Sequence, residues 1–158
     1  DAGLERCPVC GAPKLLAGFE WQLDKGLILN RSNGHRMIAA GCVAREVIFA
    51  ELEKEIGEDI SILIIESQRD FVKTGFWAVD DVRDLARFRE FLALRGFGNL
   101  TGLEWDSDGL ELRLENSCLH LMVVGMVQGF FELSSGKESR VDWRVDDGDL
   151  IVEVTATA

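Results

Sequence analysis

Tyrosine is absent from this 158-residue chain, and histidine and proline occur only twice each. No tyrosine can therefore serve as a catalytic acid or base, and two histidines leave few catalytic or metal-binding schemes. Basic residues are also scarce, since 17 Lys and Arg stand against 28 Asp and Glu, and the formal net charge is −11. This balance argues against nucleic acids and anionic membrane surfaces as partners, because both attract clustered Lys and Arg.

Long apolar runs are missing as well. The main uncharged stretch covers residues 116–131, which is too short for a bilayer that needs about 20 apolar residues. The chain shows no signal peptide. We therefore expect a cytoplasmic domain that does not act on a membrane.

The uncharged stretch is the most informative segment that is present. It contains Gly125 and Gly129, four residues apart, and it ends at Glu132. Its apolar content predicts a buried helix, for which Asn116 and Ser117 are N-cap candidates. Because glycine costs about 1 kcal/mol in a helix interior relative to alanine, the pair predicts a close approach to the helix backbone, which we expect from the sheet. A helix that lines a ligand cavity would show the same pattern.

Apolar residues at helical spacing predict three further helices. They cover residues 42–56, residues 60–73, and a segment from Asp80 to the residue before Gly96. The inward face of the second is predicted to carry Ile60, Leu63, Ile64 and Phe71, and that of the third Leu85, Phe88 and Leu92.

Alternating apolar residues around glycine-containing turns predict three hairpins. They lie within residues 19–30, 100–114 and 140–154. Hairpins on both sides of the uncharged helix favour an α+β domain, in which an antiparallel sheet of hairpins packs against a cluster of helices. The predicted organisation is a Cys-x-x-Cys knuckle in residues 1–15 and a single α+β domain in residues 16–158.

The knuckle is a candidate metal site. Cys7 and Cys10 flank a turn whose backbone N–H groups can point at the sulfur atoms and favour thiolates, as in zinc sites. Tetrahedral zinc needs two further ligands, for which the candidates are Cys42, Cys118, His35 and His120. Two chains could also share one ion between their knuckles, or the knuckle could be a remnant without metal. Structural disulfides are not expected in a cytoplasmic protein, and Cys118 alone is typical of a small buried apolar residue.

Motifs for catalysis are absent from the sequence. The chain has no Ser-His-Asp order, no P-loop, no Gly-x-Gly-x-x-Gly and no His-Glu-x-x-His. We therefore predict no catalytic residue.

The ends of the uncharged stretch resemble a family signature. LENSC at residues 114–118, followed by GMVQGFFE at residues 125–132, is similar to the signature of the 4-vinyl reductase domain, in which an extended segment leads into a helix with a G-x-x-x-G-x-x-E pattern. The resemblance covers residues 36–156. It implies a fold shared with the vesicle-tethering subunits of the transport protein particle and, more distantly, with haem-based nitric oxide sensors.

The family includes the sensory domains of aromatic-responsive transcription activators, so the resemblance implies a small-molecule-binding domain, often dimeric, with an apolar cavity. This chain departs from the family in two respects. No cysteine follows Cys118, so the C-terminal cysteine cluster that binds metal in many members is absent. The Tyr-x-Ser-x-Arg motif of the haem sensors is absent too, because the chain has no tyrosine.

These observations lead to one main functional hypothesis and two alternatives. The main hypothesis is a non-catalytic regulatory domain that forms a homodimer and binds a small apolar or aromatic ligand between the uncharged helix and the helices before it. The ligand-lining candidates are Phe88, Cys118, Met122, Met126 and Phe130. The alternatives are a dimerising structural adaptor that resembles the tethering subunits, and a vinyl-group reductase, for which no nicotinamide or flavin motif is visible.

Overall fold

A computed structural model describes residues 5–57, 59–75, 82 and 84–157. The chain divides into two compact units, Asp1–Gly41 and Cys42–Ala158. The knuckle and the first predicted hairpin share the first unit, and the predicted boundary at residue 15 stays a prediction. In the part of the chain that the structure describes, no helix is long and apolar enough to cross a membrane.

The first unit contains a small antiparallel sheet. A 3-10 helix, Lys14–Gly18, precedes three strands in the order β1-β2-β3. The strands are β1 Phe19–Gln22, β2 Leu27–Asn30 and β3 Arg36–Met37. The hairpin predicted over residues 19–30 is therefore confirmed.

Among its described residues, the second unit contains four helices and a four-stranded sheet. In chain order the elements are α1 Cys42–Ile56, α2 Asp59–Lys73, α3 Leu85–Leu94, β4 Asn99–Trp105, β5 Gly109–Glu115, α4 His120–Ser135, β6 Ser139–Asp146 and β7 Asp149–Ala156. All pairs in the sheet are antiparallel, in the order β4-β5-β7-β6. The predicted α+β class and the two later hairpins are confirmed.

The core lies between α4 and one face of the sheet. Leu110, Leu112 and Leu114 of β5 pair with residues of β7 that are also buried. Ten consecutive residues of α4 are buried, from Val123 to Glu132. The uncharged stretch is therefore the central helix of the domain, as predicted.

The helix predicted from Asp80 to the residue before Gly96 corresponds to α3, which covers Leu85–Leu94. Asp80 lies outside the described residues, and Asp84 caps α3, its carboxylate accepting hydrogen bonds from the N–H groups of Ala86 and Arg87 at 3.0 and 3.3 Å. Phe88 and Leu92 are buried as predicted, whereas Leu85 is exposed. Leu85 lies in the first turn of α3, beyond the part of the helix that packs on the core.

The two glycines of α4 pack against a helix and not against the sheet. A Cβ added to Gly125 would overlap the carbonyl oxygen of Ile65 in α2, and one added to Gly129 would lie 2.7 Å from the carbonyl oxygen of Arg69. Close approach to a backbone was therefore predicted correctly, but the expected partner was wrong. The reason is that the sheet packs on a different face of α4.

The inward face of α2 follows from this contact. Ile65 and Val72 are buried against α4, and Ile60 is buried as predicted. Leu63 and Phe71, which were expected to face inward, are 55% and 40% exposed. Apolar residues occur on two faces of α2, so the sequence alone does not show which face is buried. The buried face is the one that carries Ile65, because Gly125 and Gly129 of α4 pack against it.

The start of α4 has no side-chain cap of the predicted kind. The helix begins at His120, and the residue before it, Leu119, has left-handed backbone angles with φ 58°. The N–H of Asn116 donates to Asp149 Oδ1 at 3.1 Å, and that of Ser117 donates to the carbonyl of Gly148 at 2.8 Å. Asn116 and Ser117 therefore tie the chain to the β6–β7 turn and do not cap the helix.

Candidate functional site

A pocket lies where β4 and α4 both end. It has a volume of about 600 Å³, within the range of about 300–1,000 Å³ that is usual for small-molecule sites. We call it the Trp105 pocket, and its lining residues are Leu85, Leu103, Trp105, Asp106, Ser107, Ser134, Ser135 and Lys137.

One wall of the Trp105 pocket is apolar. Leu103 and Trp105 stand opposite Leu112 and Leu110 of β5, so their side chains lie on the core-facing side of the sheet. Both are half-buried and pack against the core. The Trp105 ring lies 6.4 Å from the ring of Phe131, measured between centroids. The indole of Trp105 therefore contacts the core and also lines the pocket.

The polar part of the lining is organised by Lys137. Its Nζ donates to the carbonyl of Ser107 at 2.8 Å and to Asp108 Oδ1 at 3.0 Å. The bond from Lys137 lowers the pKa of the Asp108 carboxyl, which therefore stays ionised. A lysine ammonium has three donors, so this group can hold the β4–β5 turn and also face an acceptor on a ligand.

Two smaller pockets lie between α1, α2 and the start of α4. They share Phe49 and Ile64, and their volumes are about 160 and 300 Å³. His120 lines the smaller one and Met122 the larger. This is the region in which the sequence predicted a cavity.

The five predicted ligand residues are not brought to one pocket. Phe88, Met126 and Phe130 are fully buried in the core, and the rings of Phe88 and Phe130 meet edge to face at 5.8 Å. Met122 lines the 300 Å³ pocket, and Cys118 is bonded to another cysteine. Their role in ligand binding stays a prediction.

The Trp105 pocket was missed at the level of the sequence. Asp106, Ser107 and Lys137 look like ordinary residues of solvated turns, and nothing in their spacing places Lys137 beside Asp108, 29 residues earlier. A tryptophan at the end of a strand was the available indication, because a large aromatic ring beside polar turns is common in binding sites.

A buried carboxylate ties α2, α4 and β6 together. The side chain of Glu132 is 2% exposed, and its Oε2 lies 2.7 Å from Lys73 Nζ and 3.9 Å from Arg69 Nε. Its Oε1 accepts bonds from the N–H and the hydroxyl of Ser139, both at 3.0 Å. The hydrogen bond to Glu132 raises the pKa of Lys73. Both carboxylate oxygens are thus satisfied, which indicates a structural role.

Cys42 and Cys118 form a disulfide between the first residue of α1 and the segment before α4. The expectation of no structural disulfide, and of Cys118 as a lone apolar residue, is therefore wrong for this pair. The two residues are 76 positions apart, and a separation of this size gives no sequence indication of pairing.

The knuckle has the predicted backbone geometry. The N–H groups of Cys10 and then Val9 hydrogen-bond to the sulfur of Cys7 and lower its pKa. The N–H of Gly11 donates to the carbonyl of Cys7 at 2.9 Å, which closes the turn. Within the described ranges, no third ligand atom joins Cys7 and Cys10. Zinc binding at these two cysteines stays a prediction.

Known structures resemble this chain over most of its length. The phenol-responsive sensory domain of the transcription activator PoxR, determined with phenol, has a TM-score of 0.63 at 14% identity, over 90% of this chain and 86% of that one. The chain has the fold of that sensory domain. A protein of the H-NOX family, studied for haem distortion, has a TM-score of 0.51 at 17% identity, over 78% of this chain and 76% of that one.

A vinyl-4-reductase family protein from Methanocaldococcus jannaschii is also similar, with a TM-score of 0.45 at 15% identity, over 73% of this chain and 78% of that one. No protein-family model and no curated protein matches the chain. The predicted relation to haem sensors and to aromatic-responsive sensory domains is confirmed at the level of the fold.

The residues of this chain do not fit a haem. Histidine is a common ligand of haem iron, and the one histidine of the second unit is His120. The pocket at His120 holds about 160 Å³, well below the usual size of a site even for a small ligand.

Proposed function

We propose that this chain is a cytoplasmic, non-catalytic regulatory domain that binds an apolar or aromatic small molecule in the Trp105 pocket. The observation that carries the proposal is the composition of this pocket. The lining combines the apolar side chains of Leu103 and Trp105 with the lysine side chain of Lys137, and the volume suits a small molecule. The fold supports the proposal, since PoxR carries its phenol-responsive domain on the same architecture.

The walls of the pocket define the chemistry of the ligand. The indole of Trp105 offers a flat surface for an aromatic ring. Lys137 and Ser135 line the pocket, and an ammonium and a hydroxyl can each donate a hydrogen bond to an oxygen atom. The expected ligand therefore has an apolar or aromatic body with one oxygen acceptor at its edge, such as a phenol or an aromatic carboxylate.

Binding should depend on both walls. We expect Ser135→Phe, which fills the pocket, to abolish binding of the best ligand from a panel of phenols and aromatic carboxylates. Lys137→Met should lower the affinity for an anionic ligand at least about tenfold, because a hydrogen bond to a charged group contributes about 1.5–3 kcal/mol. Isothermal titration calorimetry of the purified full chain measures both effects.

The matched control is Lys54→Met, which removes an exposed lysine of α1 far along the chain from the pocket residues. Equal affinity in wild type and Ser135→Phe would refute the pocket assignment. Absence of binding to every panel compound in native mass spectrometry, together with no thermal shift, would refute the function itself.

A second candidate function, a dimerising adaptor, is favoured by the exposed apolar surface of α1. None of the residues of α1, all of which are described, is buried. Val43, Val47, Ile48 and Ile56 are exposed on α1, and Ile62 and Leu63 are exposed on α2. Val43 and Val47 are four residues apart and so share one face of α1, and exposed apolar surface of this kind is typical of protein interfaces. We propose that a second copy of the chain covers it.

Size-exclusion chromatography with light scattering tests the homodimer. We expect wild type to have about twice the chain mass of 17.6 kDa, and Val47→Asp to be monomeric, because an unpaired charge in an apolar interface is strongly unfavourable. Leu23→Asp is the control, since Leu23 is exposed in the first unit. A monomeric wild type, or a Val47→Asp variant that remains dimeric, would exclude this interface.

A further inference from the structure

A cluster of three potential metal ligands lies where α1 begins and α4 is about to begin. The sulfur atoms of Cys42 and Cys118 and a carboxylate oxygen of Glu46 all lie within 4.8 Å of one another. Cys42 and Glu46 are four residues apart on one face of α1, and their side chains are 3.1 Å apart. Cys118 reaches them from a distant part of the sequence.

The ligand set matches the preferences of zinc. Zinc binds thiolates, imidazoles and carboxylates in tetrahedral geometry, and three protein ligands leave one position for water or another ligand. In the disulfide the sulfurs are bonded to each other. Two molecules of an external thiol supply two electrons and two protons, so that the Cys42–Cys118 disulfide becomes two thiols and the external thiols form a disulfide of their own. As thiolates, Cys42 and Cys118 bring two negative charges close to Glu46, which a divalent cation compensates.

We propose that the dithiol form of Cys42, Glu46 and Cys118 is a zinc site that clamps α1 to the start of α4. The zinc site would hold α1 in place against the rest of the second unit, which side-chain packing does little to achieve, since none of the described residues of this helix is buried. The proposal is independent of the Trp105 pocket and of the knuckle at Cys7 and Cys10.

Oxidation and metal binding exclude each other at this site. With a peroxide as oxidant, two thiolates, one hydrogen peroxide molecule and two protons give one disulfide and two waters, and zinc is released. The peroxide O–O bond breaks as the S–S bond forms. Zinc binding should therefore protect Cys42 and Cys118, and sustained oxidation should expel the ion.

The test uses the full chain with Cys7→Ser and Cys10→Ser, which removes the knuckle as a source of metal. Under reducing, oxygen-free conditions we expect one cobalt ion per chain, with the absorption bands of thiolate-to-cobalt charge transfer, and displacement by zinc. Adding Cys118→Ser should remove these bands. Glu46→Gln should weaken affinity at least about tenfold, since even loss of an outer-shell partner of a metal site costs 10–100-fold.

No cobalt or zinc in the reduced Cys7→Ser/Cys10→Ser chain would overturn the proposal, as would metal binding that persists with Cys118→Ser. A second measurement needs no change at the cluster. Hydrogen peroxide should release one zinc per chain, detected with a chromophoric chelator, as the Cys42–Cys118 disulfide appears in the mass spectrum. Zinc that stays bound after this disulfide has formed would also overturn the proposal.

Discussion

The Gly125→Ala variant is expected to be less stable than wild type by about 2 kcal/mol, although helix propensity alone predicts a gain of about 1 kcal/mol. The added methyl group would overlap the carbonyl oxygen of Ile65, which belongs to the backbone of α2. Backbone cannot rotate away as a side chain can, so the two helices must separate. For a chain of this length the loss lowers the melting temperature by about 4–8 °C.

Two further alanine variants calibrate this result. Gly129→Ala should also destabilise the folded domain, because the added Cβ would lie 2.7 Å from the Arg69 carbonyl oxygen and 2.9 Å from Val72 Cβ. Gly102→Ala is the matched control, since its Cβ would meet the side chain of Arg113 at an ordinary 3.5 Å. Chemical denaturation gives the three values. A stabilised Gly125→Ala protein would show that α2 and α4 are not in backbone contact.

Replacing Lys73 with methionine is expected to destabilise the domain by about 3 kcal/mol, the lower end of the range for breaking a buried ion pair. Methionine keeps the packing of the lysine stem but leaves the carboxylate of Glu132, 2% exposed, without its partner at 2.7 Å. Arg69 remains 3.9 Å away, which is why the lower end applies. The control is Arg144→Met in an exposed pair with Glu153, which should change stability by about 0–1 kcal/mol.

A double variant separates the charge from the packing. Lys73→Met with Glu132→Gln should recover much of the loss, because glutamine is neutral and its oxygen can still accept the bonds from Ser139. If the Lys73→Met protein is as stable as Arg144→Met, the ion pair between Lys73 and Glu132 contributes no more to the stability than an exposed ion pair does.

The pH dependence gives an independent check of the Lys73 contribution. The hydrogen bond to Glu132 raises the pKa of Lys73 in the folded chain. A group with a raised folded pKa stabilises fully below its unfolded pKa, about 10.4 for lysine, and the contribution is lost as the pH rises through the folded value. The stability difference between wild type and Lys73→Met should therefore be largest at neutral pH and narrow above about pH 10.4.

The elements that local pattern determines could be predicted from the sequence. The hairpin turns at Asp108-Gly109 and Asp147-Gly148 allow one short connection between alternating strands, and β4 to β7 follow from them. The helix predicted over residues 42–56 has the same bounds in the structure. In each case the determining interactions lie within a few residues of one another.

Pairings between distant residues could not be predicted. Lys73 and Glu132 are 59 residues apart, and Cys42 and Cys118 are 76 residues apart. Each looked in isolation like a solvated charge or a lone cysteine. Gly125 is an example of what can and cannot be predicted. The cost of a glycine inside a helix indicated that another segment approaches its backbone. Only the structure shows that this segment is α2.

The seating of α4 on α2 has a mechanical consequence. The helix has 16 residues, a length of about 24 Å, and the glycine contact lies near its middle. At one end Ser134 and Ser135 line the Trp105 pocket, and the other end follows Cys118. Gly125 and Gly129 thus form a pivot for α4, and any tilt of the helix about this contact moves its two ends in opposite directions.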